Sequence, residues 1–256
     1  MSGWQHRFSI ENRRALVTGA SRGIGAEICT VFAEAGADII AVARDPAGLA
    51  DTAKRVHGFG RDCQVIEADL STAQGCKAAA QQALDRWGVI DILVNSAGIA
   101  RTAPALELTA EDWDATMALN LRAPFLMAQA LAPAMIDQRW GKIINISSQT
   151  GVIALDDHAA YASSKGGLNA LTKSLCAEWA RFNVQVNAIC PTVVMTPMGR
   201  EIWGPEEKSA PFIAATPLRR FGEPVEIADA ALYLASPASE LVNGHLLMVE
   251  GGFTSV

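Results

Sequence analysis

The pair of residues in this chain best suited to moving a proton is Tyr161 and Lys165, four positions apart at the start of a long helical pattern. On a helix, positions i and i+4 share one face with their side chains adjacent. An unperturbed phenol titrates near pH 10, so at pH 7 its anion is scarce and it is a poor base. One positive charge at ~5 Å, through an effective dielectric of ~20, favours the phenolate by roughly 3 kcal/mol, or about two pK units. That shift brings a phenol toward neutrality, where general acid–base catalysis is most effective. Thirteen residues before Tyr161 stands Ser148, at the tip of an apolar run read as a buried strand. Tyr-x-x-x-Lys also arises by chance, as a lysine lying along a half-buried ring, so the elements around the pair must decide.

Those elements alternate from end to end. Apolar runs of strand length lie near 14–18, 38–43, 63–68, 90–95, 142–147, 184–190 and 245–249. Helical patterns lie near 23–35, 46–57, 73–87, 110–137, 159–182 and 224–235. Runs such as Ile39-Ile40-Ala41-Val42 carry no polar residue at every second place, which predicts strands covered on both faces. The expected fold is therefore α/β: a single doubly wound domain over 1–256, with about seven parallel strands and ligands at their carboxyl ends.

The first strand runs into Thr18-Gly19-Ala20-Ser21-Arg22-Gly23-Ile24-Gly25 and then directly into a helical pattern. Glycines here permit a tight turn, close approach of a pyrophosphate to main-chain N–H groups, and packing of helix on strand. The helix N-terminus then faces the phosphates. About 20 residues on, where an acid commonly takes the ribose 2′-hydroxyl, the second strand ends in Ala43 followed by Arg44. With Arg22 in the glycine loop, two guanidiniums and no carboxylate suit a 2′-phosphate, which favours NADP over NAD. Asp45 keeps NAD open if the register is shifted by two. Asp69, after the third strand, is placed to accept a bond from an adenine amino group, and Asn95-Ser96-Ala97-Gly98 closes the crevice with small residues. Turn chemistry accounts for the same residues in a blander way. Asn120 sits among apolar residues in mid-helix, with Pro124 removing the N–H that would bond its carbonyl. A buried asparagine there needs a partner or a local distortion.

Composition narrows the classes. A net charge of -6 with no basic block disfavours nucleic acid, and no apolar run approaches the length of a membrane helix. Met1 to Arg14 lacks the apolar core of a signal peptide. Five scattered cysteines without a Cys-x-x-Cys pair predict reduced thiols and a cytoplasmic setting, and four histidines show no metal-ligand spacing.

Taken as a set, Thr18–Gly25, Asp69, Asn95–Gly98, Asn120, Ser148, Tyr161, Lys165 and the run 191–196 resemble the short-chain dehydrogenase/reductase family in order and spacing. The likeness covers essentially the whole chain. Two departures stand out: Ser96 replaces the usual second Asn of the fourth-strand motif, and Thr192 replaces the usual Gly after Pro191. Ser147-Ser148-Gln149, His158, the run 191–196, Met198-Gly199 and Trp203 look most like carbonyl, dicarbonyl and L-xylulose reductases and related polyol dehydrogenases.

The resemblance implies hydride transfer between a nicotinamide and a small carbonyl or secondary alcohol. Tyr161 would be the acid/base and Lys165 would lower its pKa and hold the ribose. Ser148 would bind the reacting oxygen, and Asn120 would pass protons from Lys165 to solvent. The cofactor would be held by Gly19, Ser21, Arg22, Gly23, Ile24, Gly25, Arg44, Asp69, Leu70, Asn95, Ala97, Gly98, Tyr161, Lys165, Pro191, Val194 and Thr196. Ser148, Gln149, His158, Met198 and Trp203 would meet the substrate, under a lid at 197–216. A homotetramer is implied by likeness. A 3-oxoacyl-thioester reductase shares the same catalytic residues, although the acidic loop 149–158 argues against an acidic carrier protein. A cofactor-sensing regulator would be expected to lack Tyr161 or Lys165.

Overall fold

The computed structural model describes residues 3–256. Seven strands form one sheet, all parallel in their pairings. They are β1 (Arg14–Thr18), β2 (Asp38–Ala43), β3 (Cys63–Glu67), β4 (Ile92–Asn95), β5 (Gly141–Ile146), β6 (Val184–Pro191) and β7 (Leu246–Val249), in the order β3-β2-β1-β4-β5-β6-β7. The chain winds outward from β1 to β3, then returns to β4 on the other side of β1. The crevice at that reversal, beyond the carboxyl ends of β1 and β4, is where an open α/β sheet holds its ligand.

Two apolar layers explain why the strands carry no polar alternation. Ala15, Val17, Ile39, Ala41, Ile92 and Val94 pack into one core beneath α2 (Gly23–Glu34) and α10 (Pro224–Ala235). Their neighbours Leu16, Ile40, Val42 and Leu93 pack into the other, beneath α4 (Ala73–Trp87) and α6 (Ala123–Asp137). Successive side chains of a strand point to opposite faces, so burial of both faces demands an unbroken apolar run.

The predicted strands are all present, with ends moved by a residue or two. Three helical details differ from expectation. The pattern at 110–137 is not one α-helix: α5 (Ala110–Met117) and α6 are joined by a π-turn at Ala118–Arg122. Pro124 cannot offer an N–H to the Asn120 carbonyl, and the ladder widens there, Ala123 N donating to Ala118 O. The stretch expected as a lid is two helices, α8 (Pro197–Trp203) and α9 (Glu206–Ala215). Thr196 caps the first by accepting from Gly199 N, Pro197 opens it, and Gly204-Pro205 separates the pair. A short helix, α1 (Gln5–Phe8), precedes the sheet; α3 (Pro46–Gly58) and the long α7 (Ala159–Trp179) follow the expected ranges closely.

Candidate active site

A cleft of about 430 Å³ opens at the carboxyl edge of the sheet. Its walls collect the glycine loop, the tips of β2 to β6, the start of α7 and the lid helices. Nearly every residue singled out in the sequence lines it. The exceptions are Asn95 and Asn120, which stand behind the wall.

At one end, Gly19 takes φ +68°, and a Cβ there would lie 2.8 Å from the Ala97 main chain. A Cβ on Gly25 would lie 2.4 Å from Gly19 O, so the turn closes only with glycine at both places. The N-terminus of α2 has no side-chain cap and no acid in its first turn. By contrast α3, α4, α5 and α8 are capped by Asp45, Thr72, Thr109 and Thr196, and α10 by a capping box of Glu223 and Glu226. Free N–H groups at one helix end, facing a glycine-lined cleft, fit the pyrophosphate of a dinucleotide. Arg22 and Arg44 line this end. Asp69 does so too, its carboxylate accepting from Ser71 N at 3.0 Å. That bond holds its pKa below the usual carboxylate range, with a smaller push from Arg44.

Asn95 does not face the cleft. Its Nδ2 donates to Asn145 Oδ1 at 2.9 Å, and Asn145 Nδ2 donates to Thr172 Oγ1 at 2.9 Å, bracing β4 to β5 and α7. The side chain of Asn120 is fully buried and fully used. Its Oδ1 accepts from Ile99 N and its Nδ2 donates to Ile99 O, each at 2.9 Å, and Nδ2 also reaches Ser164 Oγ at 3.1 Å. The π-turn thus turns an amide into a clamp on the loop after β4. Ile99 and Ser164 gave no signal in the sequence, because one partner is main chain and the other lies 44 residues away.

At the other end Tyr161 and Lys165 meet Ser148. Lys165 is 4 % exposed and its Nζ donates to Ile146 O at 2.7 Å. Burial pulls its pKa down to about 8. Nζ lies 5.6 Å from the centre of the Tyr161 ring. The expected lowering of the phenol by the ammonium is not found: burial raises the Tyr161 pKa, and the opposing influence is a hydrogen bond from Ser148. Desolvation of the phenolate is the larger influence there, which the spacing alone could not reveal.

Ser148 Oγ accepts from Thr150 N at 3.2 Å and from Thr150 Oγ1 at 2.8 Å. A hydroxyl has two acceptor sites and one hydrogen, so both lone pairs are occupied and Ser148 is left as a donor. Thr150, which sequence reasoning passed over, therefore sets the direction of the Ser148 hydrogen. His158 stands edge-on to Tyr161 with ring centres 6.1 Å apart. Its Nδ1 is held by Asp156 O, which places the hydrogen on Nδ1 and leaves Nε2 an acceptor in the neutral ring. Gln149, Met198 and Trp203 complete this wall. Trp203 packs on Phe212 at 4.8 Å, and Phe212 stacks on Phe253 at 4.7 Å, so the lid rests on the end of the chain.

Comparison with known proteins agrees with this geometry. Residues 19–254 match the family model described as enoyl-(acyl carrier protein) reductase. The D-threitol dehydrogenase of Mycolicibacterium smegmatis is 43 % identical over 96 % of this chain and 95 % of its own. The NAD-dependent glycerol dehydrogenase of Listeria innocua is 37 % identical over 98 % of each chain. A crystal structure of a gluconate 5-dehydrogenase from Burkholderia cenocepacia, in complex with NADP and tartrate, superposes with a TM-score of 0.94. It is 40 % identical, covering 98 % of this chain and 99 % of that one. With a glycine turn and an uncapped helix N-terminus at one end of the cleft and a serine, phenol and ammonium at the other, the chain belongs to the short-chain dehydrogenases/reductases, nicotinamide-dependent oxidoreductases acting on CH–OH and C=O groups.

Proposed function

We propose that this chain oxidises a secondary hydroxyl of a small polyol, and reduces the matching ketose, with NADP as the preferred dinucleotide. The observation that carries this reading is the convergence of Ser148, Tyr161 and Lys165 on one cleft whose far end is an uncapped helix N-terminus. The nicotinamide, when bound, supplies or takes up the hydride.

The chain supplies the rest. Tyr161 gives a proton to the substrate oxygen in reduction and takes it back in oxidation. Ser148, with both lone pairs engaged by Thr150, donates to the same oxygen and draws charge from the carbonyl. Lys165 holds a positive charge beside the phenol, anchored on Ile146 O. The Asn120 carbonyl, deprived of its ordinary donor by Pro124, serves as the proton outlet from Lys165. Thr196 Oγ1 accepts from Gly199 N and keeps its hydrogen for a carboxamide oxygen, beside Val194. Gln149 and His158 offer acceptors to substrate hydroxyls, and Met198 and Trp203 form the apolar side. Free cysteines, and the absence among the described residues of any helix long and apolar enough to cross a membrane, support a cytoplasmic setting. The homotetramer is carried over from the family likeness, with the part-exposed edge strand β7 as a candidate contact surface.

The preference for NADP rests on the end of β2. Ala43 is the last residue of the strand, and Asp45 Oδ1 caps α3 by accepting from Ala47 N at 3.1 Å. Arg22 and Arg44 are the charged groups left for a 2′-phosphate. Arg44→Asp is expected to lower the NADP/NAD ratio of kcat/KM by about 30–100-fold, the worth of a charge-assisted bond or two. An unchanged ratio would put the 2′-phosphate elsewhere. The reading as a whole is tested by a panel of polyols, ketoses, diketones and 3-oxoacyl thioesters with each dinucleotide, followed at the reduced-nicotinamide absorbance. Polyols and ketoses are expected to lead by at least about 10-fold in kcat/KM; preference for the thioesters would replace this proposal.

A further inference from the structure

Four buried side-chain polar atoms among the described residues lack a hydrogen-bond partner. Two, at Arg61 and Gln64, lie at the outer strand β3. The other two, Gln149 Oε1 and Thr192 Oγ1, belong to residues that line the catalytic cleft. An unpartnered buried polar atom is costly, and the rest of the molecule avoids it. The hydroxyls of Thr18, Thr52, Thr116, Thr172 and Thr216, all buried, each donate to a main-chain carbonyl.

The two orphans leave neighbouring strands: β5 and β6 pair up to Ile146 and Ile189, Gln149 opens the 3₁₀ turn Gln149–Gly151 after β5, and Thr192 follows β6, both lining the cleft. Gln149 is 2 % exposed, and Thr192 is β-branched with its N–H donating to Val249 O at 3.2 Å. Gln149 lies next to Ser148, while Thr192 follows Pro191 at the end of β6.

We propose that Thr192 is a specificity residue that, together with Gln149, reads a hydroxyl on the carbon next to the reacting one. The inference rests on the polyol–ketose reading above and assigns to Thr192 the recognition of the hydroxyl that every ketose carries next to its carbonyl. Complementarity of donors and acceptors selects this group. Gln149 Oε1 only accepts, whereas Thr192 Oγ1 carries a hydrogen to give. A substrate hydroxyl both donates and accepts, so it can satisfy both atoms. A bare methyl would leave two buried polar atoms unpaired, the condition under which a site rejects the analogue lacking a hydroxyl.

The test compares hydroxyacetone with acetone, which differ by one hydroxyl, in the wild type, Thr192→Val and Thr192→Ser. The wild type is expected to favour hydroxyacetone by about 10³ in kcat/KM. In Thr192→Val the ratio should fall by about 10–30-fold, while Thr192→Ser, which restores the hydroxyl, should recover it. An unchanged ratio overturns the proposal. So does a weakened cofactor Kd with the ratio intact, since Thr192 would then serve the nicotinamide. Turnover of neither ketone with either dinucleotide would instead sink the oxidoreductase reading and this inference with it.

Discussion

Tyr161→Phe is expected to lower kcat for polyol oxidation by about 10²–10⁴, the range a positioned acid–base group contributes, while leaving the Kd for the dinucleotide within about 3-fold. The substitution removes one oxygen and keeps the ring that packs edge-on against His158. It also leaves Lys165 on its main-chain anchor at Ile146. The loss should therefore fall on the chemical step, with KM little changed. Ser148→Ala should cost less, because it removes one donor to the reacting oxygen and leaves the proton source in place. If Tyr161→Phe bound the dinucleotide poorly and lost helicity, the tyrosine would be a packing residue and the proton source would have to be sought elsewhere.

The second large effect is on stability. Asn120→Leu should lower Tm by roughly 10 °C, because it strands the N–H and C=O of Ile99 and withdraws a partner from Ser164. Each stranded group costs about 1–3 kcal/mol, and in a chain of this size each kcal/mol is worth about 2–4 °C. Activity should fall further than the loss of folded protein explains. A Cβ on Gly98 would come within 3.2 Å of Asn120 Oδ1 and 3.7 Å of Lys165 Nζ, so the clamped loop runs directly past the ammonium. Thermal unfolding and the specific activity of the folded fraction, measured on the same samples, separate the two. A Tm within about 2 °C of wild type would mean that the clamp is not needed.

What could be read in the sequence, and what could not, divides along physical lines. The strands were legible because burial on both faces writes an unbroken apolar run, as in Ile39-Ile40-Ala41-Val42. The distortion at Asn120 was legible because a buried amide needs a partner and a proline four residues later removes a bond from the helical ladder. Its partner at Ile99 was not, because a main-chain group leaves no mark of residue type. The segment after Thr196 read as a run of breakers, yet the same residues are start signals, with a threonine cap followed by a proline. Thr150 was missed because nothing in its type announces that it would fill both lone pairs of Ser148. The sharpest misreading concerned the phenol. Spacing on a helix gives the Coulomb attraction of Lys165 but says nothing of desolvation, and in the fold desolvation is the larger influence on Tyr161.

That balance sets the most direct measurement. Burial keeps Tyr161 protonated well above neutrality and brings Lys165 down to about 8, so the group that loses its proton first on raising the pH is the ammonium. The kcat/KM for ketose reduction, measured from pH 6 to 10, should be flat below about pH 8 and fall above it as that positive charge is lost. In Lys165→Arg, whose guanidinium keeps its charge, the fall should shift beyond the measurable range. A decline near pH 8 that is identical in wild type and Lys165→Arg would contradict the account.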